Sequence, residues 1–193
     1  MTRATRFPRF YIVDQRNGRF LWYTSAMLKL FHIALLILGA TVFVSHANAE
    51  QYLTGRLLIA GEDMNDPMFV RSVILILEHD RDGAFGVVLN RVIGTGPFGK
   101  LIATFGIKPR VVDEAALSGI VELRQGGPVE PNRVIAVHST DFEDSGSHDI
   151  GNGVAWTREP TVLAAVAAGH GPENILIFIA YAGWASGQLE GEI

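Results

Sequence analysis

The chain has no cysteine among its 193 residues. This absence excludes disulfide bonds, thiol catalysis and zinc sites built on thiolates. The main apolar run, residues 30–44, contains only fifteen residues. A membrane-spanning helix needs about 20, so this run is short for a membrane anchor.

Positive charge is scarce after residue 49. The whole chain has sixteen Lys and Arg against twenty Asp and Glu, and residues 1–49 hold six of the basic residues and one of the acidic ones. Residues 50–193 therefore carry ten basic and nineteen acidic residues, a net charge of −9. Nucleic-acid affinity rests mainly on Lys and Arg that neutralise phosphates, so direct nucleic-acid binding by this part is disfavoured.

The short apolar run has the surroundings of an export signal. Lys29 stands just before it, and Ala47-Asn48-Ala49 follows it. A basic start, an apolar middle and an Ala-x-Ala exit are the three parts of a secretory signal peptide. We expect a signal peptide at residues 27–49, cleavage after Ala49, and a periplasmic or secreted product. The alternatives are an uncleaved amphipathic or membrane-anchored N-terminus, and the cytoplasm.

The first 26 residues fit a signal peptide badly because they form a long, aromatic-rich lead. Met27 followed by Leu-Lys-Leu is an ordinary beginning for such a peptide. Our hypothesis is that Met27 is the true start and that residues 1–26 are upstream sequence.

Residues 50–193 contain no low-complexity segment or linker and predict one domain. The predicted class is α+β, with a large antiparallel or mixed sheet flanked by short helices, because hairpins outnumber strand–helix–strand units. Strands are predicted at 54–60, 71–79, 84–91, 121–125, 133–138 and 174–180, and helices at 97–105 and 159–168. Residues 80–83 predict a hairpin, residues 181–184 a turn, and Ser186 the cap of a last helix.

A Gly-x-Gly-x-x-Gly pattern at residues 94–99 is the one resemblance to a nucleotide site. Such a site needs backbone N–H groups at a helix N-terminus, and Pro97 removes one of them. No parallel strand is evident after it either. We interpret the segment as a turn into a helix and expect no cofactor.

Four residues are candidates for a pocket. His79 and His138 each end an apolar strand, Asn90 ends a third, and Trp184 stands beside small neighbours where a ligand or partner would stack. Histidine is suited to proton transfer or metal ligation near neutral pH. The alternative is that the histidines bond to loop backbone and that Trp184 fills the core. No catalytic pattern or complete metal set accompanies them, and the acidic stretch 141–149 matches no calcium loop.

Glycine-punctuated segments at 83–91, 126–129 and 181–190 supply the most specific clue. With other landmarks they resemble the AlgH/YqgE family over roughly residues 55–193. The other landmarks are Leu57-Leu-Ile-Ala60, Asp66-Pro-Met-Phe69, Ser72-Val73, Glu78-His79, His138 and Gly171-Pro172.

The resemblance implies a compact α+β fold around a large sheet. One family member is described as a regulator of alginate production genes, and no catalytic residues are established for the family. Members typically lack a signal peptide and continue beyond the Gln188-Leu-Glu190 helix, so this chain is expected to be truncated at its C-terminus.

The expected function is that of a non-enzymatic binding or regulatory protein with an unknown protein or small-ligand partner. The alternative is a small hydrolase or metal-dependent enzyme that uses His79 and His138. Membrane contact is expected only through the leader. Cytoplasmic transcriptional control is a third interpretation, valid only if the leader does not function.

Overall fold

The computed structural model describes residues 10–13 and 52–193. The predicted leader at 27–49 lies outside these residues, as does the hypothetical upstream segment except for 10–13. In the described part of the chain, no helix is long and apolar enough to cross a membrane.

The described residues form ten strands and four helices. The strands are β1 (Phe10–Val13), β2 (Leu57–Ala60), β3 (Val73–Asp80), β4 (Gly83–Val88), β5 (Val92–Pro97), β6 (Ile120–Gln125), β7 (Val129–Ser139), β8 (His148–Gly151), β9 (Val154–Thr157) and β10 (Ile175–Ala185). The helices are α1 (Phe98–Thr104), α2 (Glu114–Ser118), α3 (Thr161–Ala167) and α4 (Gln188–Glu192).

All ten strands belong to one sheet, which runs β1-β2-β3-β4-β10-β7-β9-β8, with β6 also on β10 and β5 on β6. Every pairing is antiparallel except that of β6 with β10. The predicted α+β class, a large antiparallel or mixed sheet with short helices, is confirmed.

Strand β10 is the centre of this sheet. Its first half pairs with β6 and β7, and its second half pairs with β4. The partner changes at Ala180, a fully buried residue with φ of 64°, where the register shifts between Ile179 and Tyr181. One continuous strand therefore joins the β1–β4 half of the sheet to the β5–β9 half.

Continuous pairing of β10 corrects the predicted turn at 181–184. The strand runs on to Ala185, and Trp184 pairs with Ala84 of β4. The small residues around Trp184 suggested a reversal, but the bulge at Ala180 redirects the strand without ending it.

The end of β10 also corrects the predicted helix cap. The Ser186 hydroxyl donates to the carbonyl of Arg81 at 2.6 Å and makes no capping bond. The N-cap of α4 is Gly187, whose φ of 71° is a conformation that glycine adopts without strain. Ser186 thus ties this corner to the β3–β4 hairpin, which lies where residues 80–83 predicted it.

The glycine-rich segment 94–99 is mainly a strand. Gly94 and Gly96 lie within β5, and α1 begins directly after Pro97. The prediction of a turn at this place was wrong, whereas the helix that follows it is confirmed.

Gly126 and Gly127 form the predicted sharp connection between β6 and β7. A Cβ atom on Gly126 would lie 2.3 Å from the carbonyl oxygen of Ala180, and one on Gly127 would lie 2.2 Å from the carbonyl carbon of Tyr181. Glycine is required here because two backbones touch at the bulge of β10.

The two faces of the sheet are buried in different ways. On the outer face, one cluster packs against Leu189 of α4, and a second packs against residues of α1 and α3. The opposite face, called here the inner face, carries Leu75, Leu77, Val87, Ile135, Val137, Trp156 and Phe178. No described helix contributes to the inner-face cluster, so its side chains bury one another across the curled, half-barrel sheet.

Candidate functional site

His79 lies at the end of β3 and is 6% exposed. Its Nδ1 accepts the backbone N–H of Leu53 at 3.0 Å, which places the ring hydrogen on Nε2. Nε2 then donates to Oε1 of Glu190 in α4 at 2.7 Å. Both ring nitrogens are used, so His79 has no free lone pair for a metal ion or a proton-transfer step.

Trp184 lies on the outer face, one strand across from His79. The two residues are linked through Ala84, which pairs with both of them across the sheet. Trp184 is 7% exposed, and its Nε1 donates to Oε2 of Glu192 at 3.1 Å. Helix α4 therefore covers both candidates, and Trp184 packs in the core.

Asn90 follows β4 and stands at the other end of β3. Its Oδ1 accepts the N–H of Val73 at 3.0 Å, and its Nδ2 donates to the carbonyl of Arg71 at 2.8 Å. Along β3, Val73 and His79 are about 20 Å apart. Arg71 has a φ of 57°, and the Asn90 amide holds the backbone at that irregular point.

His138 lies near the end of β7 and is 2% exposed. Its Nδ1–H donates to the carbonyl of Ser139 at 3.0 Å, and that tautomer leaves Nε2 as an acceptor. The Ser147 hydroxyl donates to Nε2 at 2.9 Å. Phe142 packs edge-on to the ring with centroids 6.1 Å apart.

The structure therefore brings together two of the four candidates, His79 with Trp184. Asn90 and His138 lie elsewhere, each in its own set of bonds. Among residues 52–193 there is no group of three His, Asp or Glu side chains that would hold a metal ion.

A different group of side chains meets on the inner face. The guanidinium carbon of Arg158 lies 4.5 Å from the ring centroid of Phe85, 5.2 Å from that of Trp156 and 5.7 Å from that of Tyr181. The Phe85 ring meets both other rings edge-to-face. We call Phe85, Trp156, Arg158 and Tyr181 the arginine–aromatic cluster.

Strand alternation puts the arginine–aromatic cluster on one face. Phe85 shares the face of Val87 on β4, and Arg158 continues the inward-facing row of Val154 and Trp156 beyond the end of β9. On β10, the bulge brings Tyr181 to the same face as Phe178. The inner-face cluster thus ends in aromatic rings with a charged group on them.

Tyr181 is fixed by a carboxylate at the border of this cluster. Its hydroxyl donates to Oε1 of Glu130 at 3.0 Å, and Arg133 donates to Oε2 of the same carboxylate at 2.8 Å. These two bonds, that from Arg133 first, lower the pKa of Glu130. Burial, and then the bond to Glu130, raises the pKa of Tyr181.

Arg158 makes no such bond, although its charge contributes to lowering the pKa of Glu130. Arg158 is exposed, and no carboxylate of the described residues lies within ion-pair distance of it. Its planar group presents five N–H donors in a fixed fork that suits carboxylate and phosphate oxygens. The neighbouring His148 ring is exposed and stacks on Trp156 at 4.6 Å and 17°. The arrangement can bind an anion next to flat, apolar surface.

Sequence reasoning missed this cluster because its members are far apart in the chain. The available signal was the alternation of Val154, Trp156 and Arg158, which predicts one face of a strand. The bulge that brings Tyr181 into place gives no such signal.

Known proteins match most of the described chain. A family model described as AlgH-like matches residues 57–193. A UPF0301 protein of Rhodospirillum rubrum is 36% identical over 144 residues, which cover 75% of this chain and 72% of that protein. The solution structure of the AlgH protein from Pseudomonas aeruginosa is 35% identical with a TM-score of 0.61, covering 75% of this chain and 74% of that one. A crystal structure of a Corynebacterium diphtheriae protein, 24% identical with a TM-score of 0.55, covers 72% of this chain and 70% of its own and supports the fold alone.

Proposed function

The chain belongs to the AlgH-like family, and from that premise we propose that it is a binding protein whose ligand site is the arginine–aromatic cluster. The observation that carries the proposal is the position of Arg158, whose guanidinium carbon lies within 6 Å of three ring centroids and which has no ion-pair partner among the described residues. Buried side-chain nitrogen and oxygen atoms are all hydrogen-bonded within the described part of the protein. At Arg158, guanidinium N–H groups that form no ion pair lie next to the flat surface of the aromatic rings.

The ligand that suits this cluster carries an anionic group and a planar ring. The anion would bind the N–H fork of Arg158, and the ring would lie against His148 or the exposed edges of the aromatic side chains. Arg158 is a local positive charge on a body of net charge −9. The acidic body makes a polyanion such as nucleic acid a poor candidate, because its many phosphates would meet repulsion away from Arg158.

The hydrolase or metal-enzyme alternative finds no support as a joint site of His79 and His138. The two residues lie on different parts of the sheet, and both nitrogens of His79 are engaged. At the arginine–aromatic cluster, the Tyr181 hydroxyl donates to Glu130, but the raised pKa of the phenol and the lowered pKa of the carboxylate do not favour nucleophilic chemistry. Binding without chemistry is the activity that this cluster supports, and a regulatory role would follow from ligand-dependent recognition of a protein partner.

Export is part of the same proposal. The leader motif at residues 27–49 would place the binding protein in the periplasm or outside the cell, with ligands or protein partners available there. Cell fractionation with N-terminal sequencing checks this: a start at Glu50 in the periplasmic fraction is expected. A cytoplasmic protein with an intact N-terminus would refute export and leave the cytoplasmic alternative.

Calorimetric titration with benzoate, phenyl phosphate and inorganic phosphate tests the ligand site. We expect the ring-bearing anions to bind more tightly than inorganic phosphate. The Arg158→Ala variant should weaken their binding about 10- to 100-fold, the range for loss of a hydrogen bond to a charged group.

Two variants make this titration specific. Arg158→Lys keeps the charge and loses the planar fork, so an intermediate affinity is expected. Arg110→Ala removes an exposed arginine outside the cluster and should leave binding unchanged. Equal affinities in the original protein and in Arg158→Ala, or no binding of any of the three anions, would refute the proposal.

A further inference from the structure

A hydroxyl and an imidazole outside the arginine–aromatic cluster are arranged for nucleophilic chemistry. The Ser147 Oγ–H donates to Nε2 of His138 at 2.9 Å, and Nδ1–H of the same ring is held by the carbonyl of Ser139 at 3.0 Å. The second bond selects the tautomer in which Nε2 has a lone pair facing the hydroxyl. This is the relation that a general base has to a serine nucleophile.

Surrounding residues hold the pair in place. Phe142 packs against the His138 ring, and the N–H of Ser147 donates to the carbonyl of Asp144 at 2.9 Å. The Asp144 carboxylate in turn accepts the Thr161 hydroxyl at the start of α3. The loop that carries Ser147 is therefore anchored at two points. These contacts keep the Ser147 hydroxyl within hydrogen-bond distance of His138 Nε2.

His138 is buried, whereas the residue Ser147 is partly exposed at the edge of a cleft. His138 is 2% exposed, and Ser147 is partly exposed and lines an open cleft of about 520 Å³. Asp141 lies close enough to interact electrostatically with His138. The pKa of Asp141 is lowered, mainly by hydrogen bonds from the Ser139 side chain and the Glu173 N–H and to a smaller extent by His138.

We propose that Ser147 is a nucleophile activated by His138 and that the cleft takes small cationic esters or thioesters. Ser147 Oγ attacks the carbonyl carbon while its proton passes to Nε2. The bond to the leaving alcohol or thiol then breaks, and Nε2 returns the proton to the leaving group. Water, deprotonated by the same nitrogen, hydrolyses the acyl-serine to the free acid and regenerates Ser147.

The charge of the cleft sets the substrate class. Glu143, Asp144 and Asp149 line it, and no Lys or Arg among the described residues does. A cationic group on the leaving alcohol or thiol would be attracted to this lining, and an anionic one would be repelled. This inference uses a different site from the proposed anion-binding function, so either can fail without the other.

The first experiment asks whether Ser147 is reactive in the folded protein. A fluorophosphonate probe is added to the full chain, and the labelled residue is identified by peptide mass spectrometry. Labelling of Ser147 is expected in folded protein and absent after heat denaturation. Ser147→Ala should abolish labelling, whereas Ser118→Ala, which changes an exposed serine outside the cleft, should leave it intact. No labelling, or labelling at another serine only, would overturn the proposal.

The second experiment measures turnover with two acetyl thioesters, acetylthiocholine, whose leaving thiol is cationic, and S-acetylthioglycolate, whose leaving thiol is anionic. Since the chain has no cysteine, a thiol reagent reports only the thiol that is released. His138→Gln should lower the rate about 100-fold or more, the range for loss of a general base. Circular dichroism of His138→Gln verifies that it is folded. Faster hydrolysis of the anionic thioester would overturn the substrate class, and an unchanged rate in folded His138→Gln would overturn the mechanism.

Discussion

The region under α4 and the arginine–aromatic cluster combine the same kinds of side chain, a nitrogen base or cation, aromatic rings and glutamates. Under α4, the polar atoms of His79 are all used within the protein, by Leu53 and Glu190. In the arginine–aromatic cluster, Arg158 rests on rings and has no carboxylate partner among the described residues.

The difference shows how the same chemistry serves two purposes. A satisfied polar network under a helix stabilises and orients that helix, and nothing is left for a ligand. An arginine that stacks on rings keeps its N–H edges available, because the rings satisfy its charge only in part. Substitutions in the two regions should therefore separate stability from binding.

The largest effect is expected from Trp184→Ala under α4. Loss of this buried ring should lower the free energy of unfolding by about 3–5 kcal/mol, because it leaves a cavity and removes the bond to Glu192. Urea denaturation measures it. Trp184→Phe keeps most of the ring and should cost much less. A change below about 1 kcal/mol in Trp184→Ala would show that the region under α4 is not a packed core that stabilises the fold.

His79→Leu should have the next largest effect, a loss of about 2–3 kcal/mol in unfolding free energy. It leaves the Leu53 N–H without its buried acceptor and frees Glu190 from the sheet. The same denaturation assay applies, with His170→Leu as the matched control at an exposed histidine. If both variants were equally stable, the role given to His79 would be wrong.

Arg158→Ala should change stability by less than about 1 kcal/mol, the range for an exposed cation–π contact. Its effect on ligand binding is expected to be far larger, which is the reverse of the pattern for His79→Leu. Thermal unfolding measures the change in stability, and calorimetric titration of the same preparation measures the change in ligand affinity. A large stability loss in Arg158→Ala would mean that Arg158 has a structural role. The two regions would then not differ in the way described.

The smallest effect concerns the phenol of Tyr181. Its pKa is raised by burial and then by the bond to Glu130, so the neutral phenol is the favoured form. Its contribution to stability is present below the usual pKa of tyrosine and is lost as pH rises through the raised value.

Glu130→Gln removes the negative charge that the Tyr181 hydroxyl bonds to, and should move the pKa of Tyr181 back toward its usual value. Phenolate absorbance, with Tyr181→Phe subtracted, follows the titration. A pKa that rises further in Glu130→Gln would contradict the described geometry.

Much of the fold was predictable because local patterns were strong. The nearly continuous apolar run within residues 71–79, the Asp-Gly hairpin and the helix between Pro160 and Gly169 correspond to β3, the β3–β4 turn and α3. Strand β5 was missed because its glycines suggested a turn, and strands β8 and β9 were missed because they are short.

The sites were less predictable, for a physical reason. His79 and His138 were candidates because of their residue type. Whether a ring nitrogen is free depends on hydrogen bonds to residues distant in the chain, and the sequence does not show those bonds. The arginine–aromatic cluster depends on the pairing of β10 with β4 and on a bulge at Ala180, a residue type that rarely has positive φ. Strand pairing over such distances is not encoded in any local pattern.

Strand β10 has a consequence for the order of events during synthesis. It lies at residues 175–185, after every other strand of the described sheet, yet it is the strand on which β4, β6 and β7 meet. While the ribosome is still adding these residues, Val87 and Ile135 have no Phe178 to pack against. Because domains fold as units once their chain is available, the sheet can close only after these late residues have been synthesised, and its apolar strands stay unpaired until then.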